Sequence, residues 1–175
     1  AEAEPLSLIS SAISQLLSFP SSLATNACGY GLHYNTNPKN THRKGRAMIA
    51  ALCVGAGGFC GAVARYLLGL LPYQGQFPLI TFIINFTGAV VIGAVVEAAS
   101  IRPGMLPANA VLFLKTGLCG GFTTFSTFSL ETLGLLERGE YAIGGAYALG
   151  SLAACVLGVV AGKMLVRWTL GAQAA

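Results

Sequence analysis

The residues able to do chemistry gather in one ten-residue block, Gly120-Gly121-Phe122-Thr123-Thr124-Phe125-Ser126-Thr127-Phe128-Ser129, inside an otherwise apolar stretch. Two adjacent glycines weaken a helix by about 1 kcal/mol each relative to alanine, and five hydroxyl residues follow within positions 123–129. At mid-membrane such a block predicts a broken helix, because irregular backbone at that depth is tolerated only where protein buries it or a cavity borders it. Carbonyls released by a break can bind a cation, as in discontinuous helices. The competing reading is a Gly/Ser/Thr face for close helix contact. Phe125 and Phe128, three residues apart, project from one helical face. Because an aromatic ring has a positive edge, two rings turned edge-on to a path favour a small anion without the grip of a full charge. Filling a core is the commoner role for any single ring, Phe122 included.

Other polar residues stand where an apolar helix should have none, and a stranded polar group in a span costs several kcal/mol. Asn85 lies near the middle of its apolar run with Thr81 four residues earlier on the same face; it either glues helices together or lines a path. Arg65 either snorkels to the headgroups or supplies a fixed positive charge to an aqueous vestibule, and Lys115 poses the same choice. Tyr147, Ser151 and Cys155 recur every four residues as one stripe, compatible with a donor row or with helix packing. Glu97 and Glu131 are placed near the ends of their spans, away from the midplane where a proton-coupled carboxylate is expected. No Asp occurs, and no nucleophile–base pair, phosphate loop or paired-carboxylate motif is present, so an enzyme has no residues to run on.

These groups must be carried by membrane elements. Of 175 residues, 54% are hydrophobic and 9% charged, against about 25% charged in an ordinary soluble domain. The apolar runs have the roughly 20 residues a helix needs to cross a ~30 Å hydrocarbon core. Four spans are expected, over about 47–71, 78–100, 108–136 and 141–166, with Pro72, then Pro103, Gly104 and Pro107, then Gly139 in the turns between them. The fold class is an all-α integral membrane protein of four transmembrane helices, the third broken at mid-membrane. Residues 1–46, rich in Ser, Asn and Thr, read as a polar tail, disordered or surface-lying, and 47–166 as the membrane domain; 167–175 form a short C-terminal tail. Serines interrupt Leu6–Leu23 and no basic stretch precedes it, which argues against a secretory signal.

The net charge of +4 is scattered and does not point to nucleic acid; one cluster, Lys39, Arg43, Lys44 and Arg46, flanks the first span. With both termini on one side, that side also holds Arg102, Lys163 and Arg167, seven basic residues against Arg65 and Arg138 opposite. The count favours termini inside, and without the tail cluster it is nearly balanced. Five cysteines with no C-x-x-C pair imply neither a disulfide framework nor a zinc site. His33 and His42 both precede the membrane region.

Taken together, Gly57-Gly58 with Gly61-Ala62 and Arg65-Tyr66, Asn85 followed by Gly88, the string Gly120–Ser129 with Leu130-Glu131, and the Tyr147–Ser151 stripe resemble the small bacterial fluoride channels, the Fluc or CrcB-like family, over about Met48–Val166. The resemblance implies an antiparallel homodimer of four-helix subunits in the cell membrane, inserted in both orientations, with two fluoride pores. It also implies a structural sodium ion held by backbone carbonyls, here of Gly120 and Thr123 from both subunits. The ring pair becomes Phe125 and Phe128, the second-helix asparagine Asn85, and the hydroxyl track Ser126, Thr127, Tyr147 and Ser151. The vestibule arginine becomes Arg65. Cys155 departs from the pattern, falling where a further hydroxyl is usual, and the long N-terminal tail is not a family feature. Such a channel replaces fluoride's water by donors and ring edges, and lets the inside-negative voltage expel fluoride that entered as HF. A small four-helix multidrug/proton antiporter is the alternative, but it needs a carboxylate in span one, where this chain has Arg65 and no acid. A non-transporting assembly subunit would not need the polar block.

Overall fold

Long apolar runs leave the backbone no water to bond with, so each must satisfy its own amides and carbonyls as a helix. The computed structural model describes residues 41–171, and among them there are helices and short connections but no strand. Helix α1 spans Thr41–Gly69 and α2 Leu79–Ile101; α3 covers 108–122, α4 Phe125–Glu137 and α5 Tyr141–Gly171. Most of the expected N-terminal tail lies outside the described residues, and α1 begins ahead of the expected start at Ala47. Among the described residues three helices, α1 over Gly45–Gly69, α2, and α5 over Tyr141–Leu170, are long and apolar enough to cross a membrane. The third passage is divided: α4 has 13 residues and at 1.5 Å per residue reaches about 20 Å, short of a bilayer core. Pro78 and Pro107 stand immediately before α2 and α3, where the missing amide proton costs nothing.

Helix α3 is not uniform. It opens as an α-helix over Ala108–Val111, widens to a π-helix over Leu112–Cys119 and closes with one α-helical turn at Gly120–Phe122. A widened turn of this kind is rare and shifts the residues after it relative to a regular helix.

Packing pairs the helices. α2 runs along α5, α1 along α3, and α4 meets α5. The α1–α3 crossing is made by backbone: a β-carbon at Gly57 would stand 2.3 Å from the Phe113 carbonyl oxygen, and one at Gly61 2.2 Å from that of Leu118. Gly117 and Gly121 answer from α3, 2.7 Å from the Val54 oxygen and 2.4 Å from the Gly58 oxygen by the same construction. Small residues at every fourth position let membrane helices approach this closely without a hydrophobic driving force. At the other contact, buried Glu97 on α2 is paired with Lys163 (3.3 Å) and Arg167 on α5, which ties the ends of the two helices.

The α4–α5 turn is a Schellman motif. Gly139, at φ +77°, donates its amide to Leu136 O (3.0 Å), and Glu140 donates to Leu135 O (2.9 Å). This leaves Arg138 and Glu140 on either side of a tight glycine corner, bonded Nε to Oε1 at 3.1 Å.

The glycine crossing predicts an asymmetry between neighbouring positions. Gly61→Ala, which has to push α1 off α3, should lower the melting temperature of the purified protein in detergent. Gly55→Ala meets nothing within 4 Å, and should leave it unchanged or raise it, since alanine is favoured in a helix by up to about 1 kcal/mol. Equal effects of the two substitutions would show that the crossing does not set stability.

Candidate functional site

The interruption expected of the third span is present, but it is far shorter than the ten-residue block. Thr123 and Thr124 alone are extended, at φ/ψ −76°/155° and −147°/112°. Gly120 and Gly121 still belong to α3, and Ser126–Ser129 already belong to α4. The reason is capping. The Thr124 hydroxyl accepts the Thr127 amide (3.2 Å), the side-chain cap that starts a helix, so regular backbone resumes at once.

What holds the break open is α2. In a continuous helix the Thr124 amide would bond the Gly120 carbonyl; here it donates to Asn85 Oδ1 at 2.8 Å, while Asn85 Nδ2 donates to the Thr124 carbonyl at 3.2 Å. The carboxamide thus pairs with Thr124 as a neighbouring strand would. Upstream, Cys119 O accepts both the amide (3.0 Å) and the hydroxyl (2.9 Å) of Thr123. The Thr123 methyl fits against Gly88, where a β-carbon would come within 2.2 Å of it. Asn85 therefore positions the backbone with its oxygen and one of its two N–H bonds, and one donor remains. The hydroxyls of Thr124, Ser126 and Thr127 also form a group. Thr124 Oγ1 donates to Thr127 Oγ1 (3.0 Å) and lies 3.1 Å from Ser126 Oγ. With the Thr124 proton committed to Thr127, Ser126 must be the donor to Thr124, which leaves the Thr127 proton available.

Beside this break lies an arrangement the sequence reading missed. Glu131, six residues into α4 and six before its end, is a hub. Thr81 Oγ1 donates to its Oε1 (2.8 Å) and the Tyr147 hydroxyl to its Oε2 (2.7 Å). The Tyr147 ring, 0% exposed, lies 5.2 Å from that of Phe128 and 5.3 Å, edge-on, from that of Phe77. Phe125 stands 5.4 Å from Phe128 in a tilted pair and is itself 80% exposed. One signal could have found Glu131: it follows Phe125 and Phe128 at the same spacing of three, which places all three along one face. One turn beyond Tyr147 on α5, Ser151 is 5% exposed and its hydroxyl has no protein partner, a dry donor of the kind that requires an explanation. Cys155, next on that stripe, is half-buried.

A cleft of about 410 Å³ opens onto this hub, and Thr81, Glu131, Gly134 and Arg138 are among its walls. Arg65, half-buried on α1, is not part of the lining, nor is Lys115. The arrangement thus brings Asn85, Thr124, Ser126 and Thr127 into one bonded group, with Thr123 bonded instead to Cys119, and Phe125, Phe128 and Tyr147 into another beside Glu131. It offers hydroxyl donors and aromatic rings close to a cleft and, among the described residues, no group poised to break a bond.

Comparison with known proteins gives the family. The model of the family described as CrcB-like protein, Camphor Resistance, matches residues 52–163. The fluoride-specific ion channel FluC of Nitrobacter winogradskyi is 47% identical over 119 residues, 66% of this chain and 94% of that protein. Its namesake in Ruminiclostridium cellulolyticum is 44% identical over 126 residues, 70% of this chain and 95% of that protein, and that of Chlorobaculum tepidum is 46% identical over 122, or 69% and 96%. The match reaches from α1 into α5 and takes in the break with its asparagine and the hub at Glu131, and on it the chain belongs to the CrcB-like protein family.

Proposed function

We propose that the chain is a passive, fluoride-selective channel that lets fluoride leave the cytosol across the cell membrane, and is not an enzyme. Relatives 44–47% identical over nearly their whole length carry the name fluoride-specific ion channel. The observation that carries the reading is the pinned break with its ring pair: Asn85 bonds both main-chain groups of Thr124, and Phe125 and Phe128 begin the helix that follows. Fluoride is small and strongly hydrated, so a dry route must replace its water with donors. Ser151, the remaining Thr127 proton, the hydroxyls of Thr81 and Tyr147, and ring edges are such donors, and none is a full positive charge that would trap the ion. Glu131 can take part by yielding the Thr81 and Tyr147 hydroxyls to a passing anion and receiving them back.

The functional unit is an antiparallel homodimer with two pores. An 80% exposed Phe125 beside the break is the ring a second subunit would cover. A sodium ion at the centre of that dimer suits the backbone here. The Thr124 amide is diverted to Asn85, so the Gly120 carbonyl is released from its helical partner, and Thr123 follows in extended form. Carbonyl oxygens of this kind coordinate alkali cations. Gly120 and Thr123 of both copies would hold the ion, which when bound supplies a fixed charge tying the subunits together.

In proteoliposomes, fluoride efflux measured with an electrode should far exceed chloride efflux and proceed without a proton gradient; absence of fluoride efflux would overturn the reading. Phe128→Ile removes a ring contact worth about 1 kcal/mol and should slow efflux several-fold while the protein still elutes as the same oligomer. Unchanged flux in both Phe128→Ile and Phe125→Ile would take the rings out of the mechanism. Exchanging Na⁺ for a large organic cation should lower the thermal stability of the dimer, and no sodium dependence would argue against the site at Gly120 and Thr123.

A further inference from the structure

We propose that Arg138 is the entry residue of the channel, a guanidinium at the mouth of the cleft that concentrates fluoride there, with Glu140 setting its strength. The inference rests on the channel reading above and adds a residue to it. The cleft has two charged groups in its wall, Glu131 inside and Arg138 nearer the turn. They are seven residues apart, Arg138 being the residue that caps the end of α4, and so about two helical turns or about 10 Å apart along one face. Gly134 lies between them and has no side chain to intervene; a β-carbon there would stand 3.5 Å from Arg138 Nη1. The guanidinium is thus laid back along α4 toward the cleft rather than extended away from the turn. Its side chain is 58% exposed, and of its five N–H donors only Nε–H is engaged, by Glu140 Oε1 at 3.1 Å.

The need for such a charge follows from the hub. A carboxylate on an anion's route repels the ion it should admit, and Glu131 can help only once fluoride is close enough to take its hydroxyl donors. A cation one Debye length outside it offsets that repulsion and raises the local anion concentration. It does so without entering the narrow part, where a full charge would hold the ion. Glu140 tempers the effect. The Schellman corner fixes it opposite Arg138, at the N-terminus of α5, where a negative charge is favoured, and its Oε2 is buried with no hydrogen-bond partner. Glu140 therefore offsets part of the Arg138 charge that the cleft would otherwise feel.

The two residues act in opposite directions, and that separates a steering role from a structural one. Fluoride efflux from proteoliposomes at low fluoride is compared at about 0.01 M and about 1 M ionic strength, where the Debye length is about 30 Å and about 3 Å. At low ionic strength Arg138→Gln should slow efflux by about two- to tenfold and Glu140→Gln should speed it, with Arg138→Lys close to the parent. At high ionic strength all four proteins should converge. Elution as the parent oligomer verifies that each variant is folded. An Arg138→Gln rate equal to the parent's at low salt, or reduced by the same factor at both salts, overturns the proposal. A parent protein that passes no fluoride sinks the channel reading instead, so the two failures are distinguishable.

Discussion

Everything at the centre of this molecule depends on a side chain standing in for backbone. A helix interrupted in an apolar setting strands amides and carbonyls, and an unsatisfied buried amide costs about 1–3 kcal/mol. Asn85 meets that cost at the place where it arises, accepting from the Thr124 amide and donating to its carbonyl. No other uncharged side chain but Gln carries an acceptor and a donor in this fixed geometry. With both of its main-chain groups satisfied, Thr124 can stay extended, cap α4 through its hydroxyl, and send α4 off with Phe125 and Phe128 at its start. The ring pair and the hub at Glu131 are thereby indexed to α2, which also supplies Thr81 one turn before Asn85.

Around that pairing the protein divides labour between its helix pairs. α1 and α3 meet through glycine backbone and lead to the break; α2 and α5 pack along each other and carry the polar groups that meet the break and α4, Thr81 and Asn85 on one and Tyr147 on the other, with Ser151 one turn on. Large hydrophobic side chains such as Phe59, Leu149 and Leu157 are left on the outside, as expected of a multi-pass membrane protein whose outer faces meet lipid. The interior is glycine and apolar side chains with a few polar groups, Thr81, Glu97, Thr124 and Ser151, set among them.

The spans were legible because their limits are written in local signals. Proline and glycine between apolar runs placed α2 and α5 within a residue or two of their observed starts. The break was legible in kind, since adjacent glycines and a run of hydroxyls are poor helix. Its extent was not, because Thr124 restarts the helix by a bond to Thr127 that composition does not reveal. The partners of the break and of Glu131 were illegible for a different reason: Asn85 is 39 residues from Thr124, and Glu131 takes its donors from 50 and 16 residues away. Position along the span places Glu131 but says nothing of the two hydroxyls that meet it, and spacing does not single out Arg138 as a wall of the cleft. The π-helical widening of α3 has no residue signature at all.

The contact between α1 and α3 has a consequence of its own. Two main chains touching through Gly57, Gly61, Gly117 and Gly121 have no rotamers to exchange, so the joint lacks the alternative packings through which ordinary helix interfaces slide or loosen. The distance between these two helices is therefore inherited from the path of the chain. Substitution can alter the side chains mounted on the other helices step by step, while this frame admits almost no gradual adjustment.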